Sequence, residues 1–283
     1  AKNAGVKLQY KRIDPNFQTM GAYYFQSDIE SYAIAPNLTL LDNKLRLSGS
    51  YGVQYDNLAN NKSARTGRQI GSLLVSYNPA TKFGVDLQLS NYGISQQAGL
   101  RPIIDTVRLA QNNLSATVNT RYTIQTERVM NLFTLTATRQ QLSDLNQRTA
   151  AFTNNTNTNL NLGYFYQQLT SGLGANLLVS YTQADLAQGM STRFYGPTLG
   201  LTKSFLTNKL STSINGSYLV NRQDLMTGES LNGQIINASA NAGYQLGKRQ
   251  NLNLQLAYLN SNTGVAEQRY NELRGTFGYG ISF

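Results

Sequence analysis

The sequence predicts an all-β fold, a closed antiparallel transmembrane β-barrel of about fourteen strands. Three observations predict it. Polarity alternates with a two-residue period along most of the chain, and turn-forming residues separate the alternating segments. The segments are roughly 10 to 19 residues long, where soluble strands average about 5 to 6 and a tilted membrane strand needs about 9 to 11. Their polar face carries Asn, Gln, Ser, Thr and Gly rather than the Lys, Glu and Arg that keep a soluble sandwich in solution.

Taken in order, the first strand spans 4–13, where Lys7, Gln9 and Lys11 alternate with apolar residues. Asp14 to Glu30 is read as a long first loop, with Gly21 to Phe25 as an alternative extension of the second strand at 31–41. Leu41-Asp42-Asn43-Lys44 turns the chain into a strand at 44–58, with Arg46, Ser48 and Gln54 on the polar side. Ala59 to Arg65 connects to 68–78, and Asn78-Pro79-Ala80-Thr81-Lys82 turns into 82–95, with Asp86 and Gln88 polar. Beyond the loop from Gln96 to Asp105, Asn119 and Arg121 mark 106–124. A strand at 129–144, a loop from Asp144 to Asn154 and a strand at 155–169 with Asn159 and Asn161 follow. Thr170-Ser171-Gly172 leads to 172–188 and then 192–206. Thr207-Asn208-Lys209 opens 209–225, in which Leu210 to Tyr218 changes polarity at nearly every step and Asn215 is polar. In 231–247, Ala238, Ala240, Ala242 and Tyr244 oppose Asn237, Ser239, Asn241 and Gln245. Gly247-Lys248-Arg249-Gln250 turns into 250–262, with Gln255, and 267–283 ends the series with Glu272 and Arg274. Short turns thus alternate with mostly longer loops, and an even strand number puts both termini on the short-turn, periplasmic side.

Composition narrows the function. The chain has no Cys, His or Trp. Disulfides, thiolate metal sites and cysteine nucleophiles are absent, and so are the commonest general base and the commonest metal ligand. A Ser nucleophile would lack a His base and the carboxylates are too sparse to nominate an acid pair, so no catalytic site, cofactor or metal is expected. The formal charge is +10, from 24 Lys and Arg against 14 Asp and Glu. The cations are scattered, many beside turns (Lys44, Lys82, Lys209, Lys248, Arg249), which suits anionic headgroups and not nucleic acid. No apolar run approaches the roughly 20 residues of a membrane helix. No basic-then-apolar leader opens the sequence, so Ala1 reads as a mature or trimmed N-terminus of an exported chain. Residues 1–283 are read as one barrel domain, whole or the membrane part of a longer precursor. Tyr77, Tyr122, Tyr181, Tyr218, Tyr244 and Tyr258 fall toward strand ends, where an aromatic girdle sits at the headgroup boundary.

The end of the chain, Phe277-Gly278-Tyr279-Gly280-Ile281-Ser282-Phe283, alternates and stops on Phe. It resembles the C-terminal signal of outer-membrane proteins, which implies Phe277, Tyr279, Ile281 and Phe283 as contacts for barrel-assembly machinery. Strand number and length resemble the fourteen-stranded monomeric porins over the whole chain. Tyr10-Lys11-Arg12-Ile13-Asp14-Pro15-Asn16-Phe17, Gly21-Ala22-Tyr23-Tyr24-Phe25, Lys44-Leu45-Arg46-Leu47-Ser48-Gly49 and Tyr55-Asp56-Asn57-Leu58 look like barrel domains of Bacteroidota outer-membrane proteins. Some of those are parts of multi-protein machines. Few residues precede the first strand, unlike fatty-acid-transporting barrels with their N-terminal plug.

Two functions are therefore carried forward. One is a passive or weakly selective outer-membrane pore for small polar solutes, its lumen lined by Lys7, Lys11, Arg46, Asp86, Arg121, Asn159, Asn215, Asn241, Glu272 and Arg274. The other is a structural barrel that anchors or scaffolds a larger envelope complex. On closure, Lys7, Lys11 and Arg274 either share a positive stretch or are balanced by Glu272. Phe17, Tyr23, Tyr24 and Phe25 form a plug, a partner contact or the top of a strand. Lipid, lipopolysaccharide and other envelope proteins are the expected partners.

Overall fold

Alternating residues cannot form the one-sided stripe of a helix, but they give a strand two chemically distinct faces. The chain follows that rule through fourteen strands. They are β1 (Asn3–Ile13), β2 (Ile29–Leu40), β3 (Leu45–Asp56), β4 (Ala64–Ala80), β5 (Phe83–Ala98), β6 (Ala110–Gln125) and β7 (Val129–Asp144). After one helical turn, α1 (Ala150–Thr153), come β8 (Asn155–Gln168), β9 (Leu173–Leu186), β10 (Ser191–Phe205), β11 (Leu210–Asp224), β12 (Ser230–Gly247), β13 (Gln250–Asn262) and β14 (Tyr270–Ile281). The fold was obtained as a computed structural model that describes residues 3–17, 27–100, 102, 108–207, 209–247, 249–262, 264 and 269–281. No helix among them is long and apolar enough to cross a membrane, which says nothing of a crossing by strands.

Each strand pairs antiparallel with the next, giving one sheet in the order β1 to β14. Among the described residues no ladder joins β1 to β14, so the expected ring is described as an open sheet whose edges are the first and last strands. Tight turns join β2 to β3, β4 to β5, β6 to β7, β8 to β9, β10 to β11 and β12 to β13, all at one end. The chain enters β1 and leaves β14 at that same end, because Asn3 pairs with Thr39 and Ile281 with Gln250, both beside tight turns. The ladder of β10 on β11 skips Gly196 and Pro197, between Tyr195↔Val220 and Thr198↔Ser217. Pro197 has no N–H to give. A Cβ on Gly196 would stand 1.9 Å from the Tyr218 carbonyl oxygen, so glycine is what lets the two backbones meet.

The packing lacks what a soluble domain requires. Ile29 and Ala110 are the buried hydrophobic residues among those described. The chain exposes 18836 Å², whereas a folded soluble chain of 31.2 kDa exposes about 12,000 Å². The buried side chains are instead mostly polar, Asp28, Asn57, Thr66, Asp144, Asn146, Ser191, Asn221 and Ser261. All eight lie at the loop end of the sheet.

Candidate functional site

The registers carry one face unbroken from edge to edge. Lys7 is opposite Ala35, Arg46 opposite Ser76, Ser76 opposite Asp86, and Asp86 opposite Asn119. Asn119 continues through Thr136 and Asn161 to Ser180. Beyond it, Asn215 is opposite Gly200, Asn241 opposite Ser213, and Arg274 opposite Ala257. All ten lumen candidates fall on this polar face. The sheet curls around it, so that Gln167, Thr202, Ser211, Asn241, Asn253 and Gln255, from β8 to β13, line one trough of about 1030 Å³. Cross-strand hydrogen bonds tile the surface. Ser50 and Ser72 are 2.7 Å apart, Thr136 Oγ1 donates to Asn119 Oδ1 at 2.9 Å, and Thr182 Oγ1 donates to Asn159 Oδ1 at 2.8 Å. Asn237 and Asn241 donate to Ser217 and Ser213 at 3.1 and 3.2 Å.

The opposite face is apolar and faces outward, with Leu162 56% and Ile214 62% exposed. Five of its tyrosines hydrogen-bond to polar groups near the ends of the apolar band. Toward the loop end, Tyr10 and Tyr32 both donate to Glu30 Oε1 at 3.0 Å, Tyr181 donates to Gln183 at 2.5 Å, and Tyr218 donates to Gln234 at 3.0 Å. Toward the turn end, Tyr164 donates to Asn131 at 2.8 Å. On β10 the band runs from Tyr195 to Phe205, ten steps or about 34 Å of strand. At the usual 35–45° tilt it stands about 24–28 Å tall, the height of the apolar belt of outer-membrane barrels. Lys203 interrupts it near the turn end, with its ammonium 5.2 Å from the Phe205 ring centroid.

Charge on the polar face is sparse and uneven. Strands β8 to β13 place no Lys, Arg, Asp or Glu there. Three arginines are held by carboxylates: Arg68 by Asp56 at 3.9 Å, Arg121 by Asp86 at 3.6 Å, and Arg274 by Glu272 at 2.5 Å. Arg121 also donates to Asn78. Arg274 is paired with Glu272 on its own strand, while a positive stretch shared with Lys7 and Lys11 would need β1 beside β14, a pairing no described ladder makes. Lys7, Lys11 and Arg46 have no such partner among the described residues.

Loop-end polar knots escaped the sequence reading. Asp28, 1% exposed, closes the first. Its Oδ1 accepts from the Leu58 N–H at 2.7 Å and its Oδ2 meets Lys62 Nζ at 2.6 Å. Asn57 Nδ2 donates to the Lys62 and Ala64 carbonyls, and Lys62 N–H returns to Asn57 Oδ1 at 3.0 Å. Both Asp28 and Asn57 adopt left-handed backbone conformations, at φ 63° and 59°, which Asp and Asn tolerate better than most residues. Asp144 closes the second, accepting from Thr149 Oγ1 at 2.5 Å, Thr153 Oγ1 at 2.7 Å and the Asn146 N–H at 2.9 Å. The available signal was the spacing of Thr149 and Thr153, one helical turn apart.

Burial pushes the Asp28 carboxyl up, but Lys62 and the Leu58 N–H outweigh it and hold the group below its ordinary value. A depressed carboxylate contributes stability that is complete above its unfolded pKa and is lost as pH falls through the folded value. The knot is therefore expected to hold at neutral pH and to open only below the ordinary carboxylate range, read as loss of amide-exchange protection at Leu58. At neutral pH, Asp28→Ala leaves the Leu58 N–H unpaired, a cost of about 1–3 kcal/mol. Tryptic cleavage after Lys62 is expected to accelerate about 5- to 150-fold, because cleavage follows the open population.

The remaining sequence-derived positions divide. Phe17 is exposed on the first loop, while Tyr23, Tyr24 and Phe25 lie outside the described residues. Phe277, Tyr279 and Ile281 share the outward apolar face of β14, opposite Leu254, Leu252 and Gln250. Phe283 lies outside the described residues. No group of three or more carboxylates among the described residues could hold a metal ion.

No family model and no curated protein matches the sequence. Among solved structures the chain is similar to CdiB from Acinetobacter baumannii, at 11% identity and a TM-score of 0.41. The match covers 99% of this chain, which spans 60% of the length of that structure. Nothing about the role of this chain follows from a likeness of that degree.

Proposed function

We propose that the chain is the membrane-spanning wall of an outer-membrane β-barrel whose polar face lines a water-filled passage for small polar solutes, without catalysis. One observation carries the reading. The apolar face is turned outward in a belt of membrane height while the hydrogen-bonding face lies on the inside of the curve. Only a surrounding hydrocarbon phase stabilises that inversion of a soluble protein, at about 25 cal/mol for each Å² of apolar surface withdrawn from water. Hydrocarbon offers no partner for unpaired N–H and C=O groups, so the edges β1 and β14 join in the membrane. Their antiparallel course is compatible with direct closure. Fourteen strands fall between the eight whose side chains fill a barrel and the 16–18 that leave an aqueous channel in porins.

In this reading the tight turns and both ends of the sheet face the periplasm and the capped loops face outward. Lipid and lipopolysaccharide surround the belt, and assembly machinery reads the last strand. A second reading, a barrel subunit scaffolding a larger envelope complex, is favoured by the two unpaired edges, which other strands could occupy. Single-channel recording in a planar bilayer tests the function. The refolded protein, first shown to migrate differently with and without boiling, is expected to give steady steps in the nanosiemens range. A folded, inserted and silent protein would exclude the open pore and favour the scaffold.

A further inference from the structure

We infer that the passage selects small anions and that Lys7, Lys11 and Arg46 form its selecting patch, an inference that rests on the pore reading above. The carboxylates on the polar face are Asp56, Asp86, Asp144 and Glu272. Three of them are engaged by Arg68, Arg121 and Arg274, and each such pair looks neutral from a few ångströms away. The fourth, Asp144, is buried at the loop end behind the hydroxyls of Thr149 and Thr153. Among the described strand residues, the charge left facing the passage is that of three cations.

Those cations line the same wall of the passage in succession, Lys11 toward the loop end, Lys7 midway and Arg46 toward the turn end. Lys7 and Lys11 are four residues apart on β1, about 13 Å. Arg46 is two strands over on β3 and level with Asn3 through Thr39, which puts its backbone about 16 Å from that of Lys7 and about 28 Å from that of Lys11. The intervening β2 contributes no charge to this face. The opposite wall, β8 to β13, is uncharged on this face, so nothing there cancels the field. The tight-turn mouth has the same sign. Among the described residues, five of its six turns carry Lys or Arg, as Lys44, Lys82, Arg128, Lys209 and Arg249, against Asp42 and Glu127. A potential on the order of one kT within the passage favours a monovalent anion over a cation about sevenfold.

The test is the reversal potential of the inserted protein in a KCl gradient. Wild type is expected to pass chloride over potassium by about sevenfold at 0.1 M salt. The preference should shrink toward about 1 near 1 M, where the screening length falls from about 10 to 3 Å. The triple variant K7Q/K11Q/R46Q should lose it at low salt while keeping its steps, and R274Q/E272Q should keep it. Absence of any conductance would sink the pore reading itself. Conductance with a chloride-to-potassium ratio at or below one in wild type would overturn the anion preference and leave the pore standing. An unchanged preference in the triple variant would overturn the assignment to these residues. Should that variant not fold, the wild-type ratio and its salt dependence still decide the preference.

Discussion

Arginine in place of Leu162 and Ile214 is expected to prevent stable insertion, while arginine in place of Asn161 on the other face leaves insertion nearly unchanged. Leu162 and Ile214 sit in the middle of the outward band on β8 and β11, with two strands between them. A guanidinium at that depth costs about 2–4 kcal/mol. Two such sites, far enough apart to add, cost about 4–8 kcal/mol. Native stabilities are about 5–15 kcal/mol, so the double variant loses most or all of its margin. The sign of the effect carries the argument. On a soluble sheet these exposed leucine and isoleucine side chains would be liabilities, and arginine would be neutral or helpful. Urea titration in lipid vesicles, read by heat-dependent migration, gives the answer. A double variant as stable as wild type would remove the membrane from the account.

The second large effect concerns the seam. The ladder from Asn3 runs through Thr39, Arg46, Ser76 and Asp86 to Asn119, Thr136, Asn161 and Ser180. Ser180 is opposite Gly196, which falls level with Leu219 in the β10–β11 register. From Leu219 the line passes Ile235 and Ser261 and arrives at Tyr270. A line that starts at the turn end of β1 therefore finishes at the loop end of β14. Closing fourteen strands at the 35–45° tilt of known barrels needs a stagger of about 14 to 20 residues, and it must be even to keep the faces aligned. A stagger of 14 sets Gln9 opposite Gly278, and one of 16 sets it opposite Gly280.

The chain has no cysteine, so Gln9→Cys combined with Gly278→Cys or with Gly280→Cys tests closure without background. Neighbouring strand pairs have Cα separations near 4.5–5.5 Å, within disulfide reach. One of the two pairs is expected to form the disulfide nearly completely, seen as loss of both free thiols to maleimide. If neither links in folded protein, the same test at staggers of 18 and 20 uses Gly280→Cys with Lys11→Cys or with Ile13→Cys. Failure of all four pairs places other strands between β1 and β14 and favours the scaffold reading. The exposure of Leu8 at 75% and Leu273 at 77%, on the two edge strands, is what an unjoined seam leaves uncovered.

Local chemistry made the strands legible. The expected and observed boundaries differ by a few residues, most at β4, which begins at Ala64 where 68 was expected. Arg65, Thr66 and Gly67 read as loop, yet they pair with Gln97, Gln96 and Ser95 of β5, and Asp56 accepts from the Thr66 N–H at 2.6 Å. β6 begins at Ala110 where 106 was expected; 106 and 107 lie outside the described residues, and Arg108 and Leu109 are not part of the strand. The helical turn α1 went unseen because four residues are too few for a 3.6-residue period to register.

The sequence by itself determined which residues share a face, since alternation is a property of adjacent residues and survives any register. It also determined the number of strands and the nature of the two surfaces, because segment length and composition are local. Only the tertiary structure decided which charges cancel. Arg121 meets Asp86 and Lys62 meets Asp28 across 35 and 34 residues of chain. Such encounters depend on ladder register and loop course, which no local pattern encodes. The same holds for the three cations left facing the passage, whose freedom is set by where every carboxylate went.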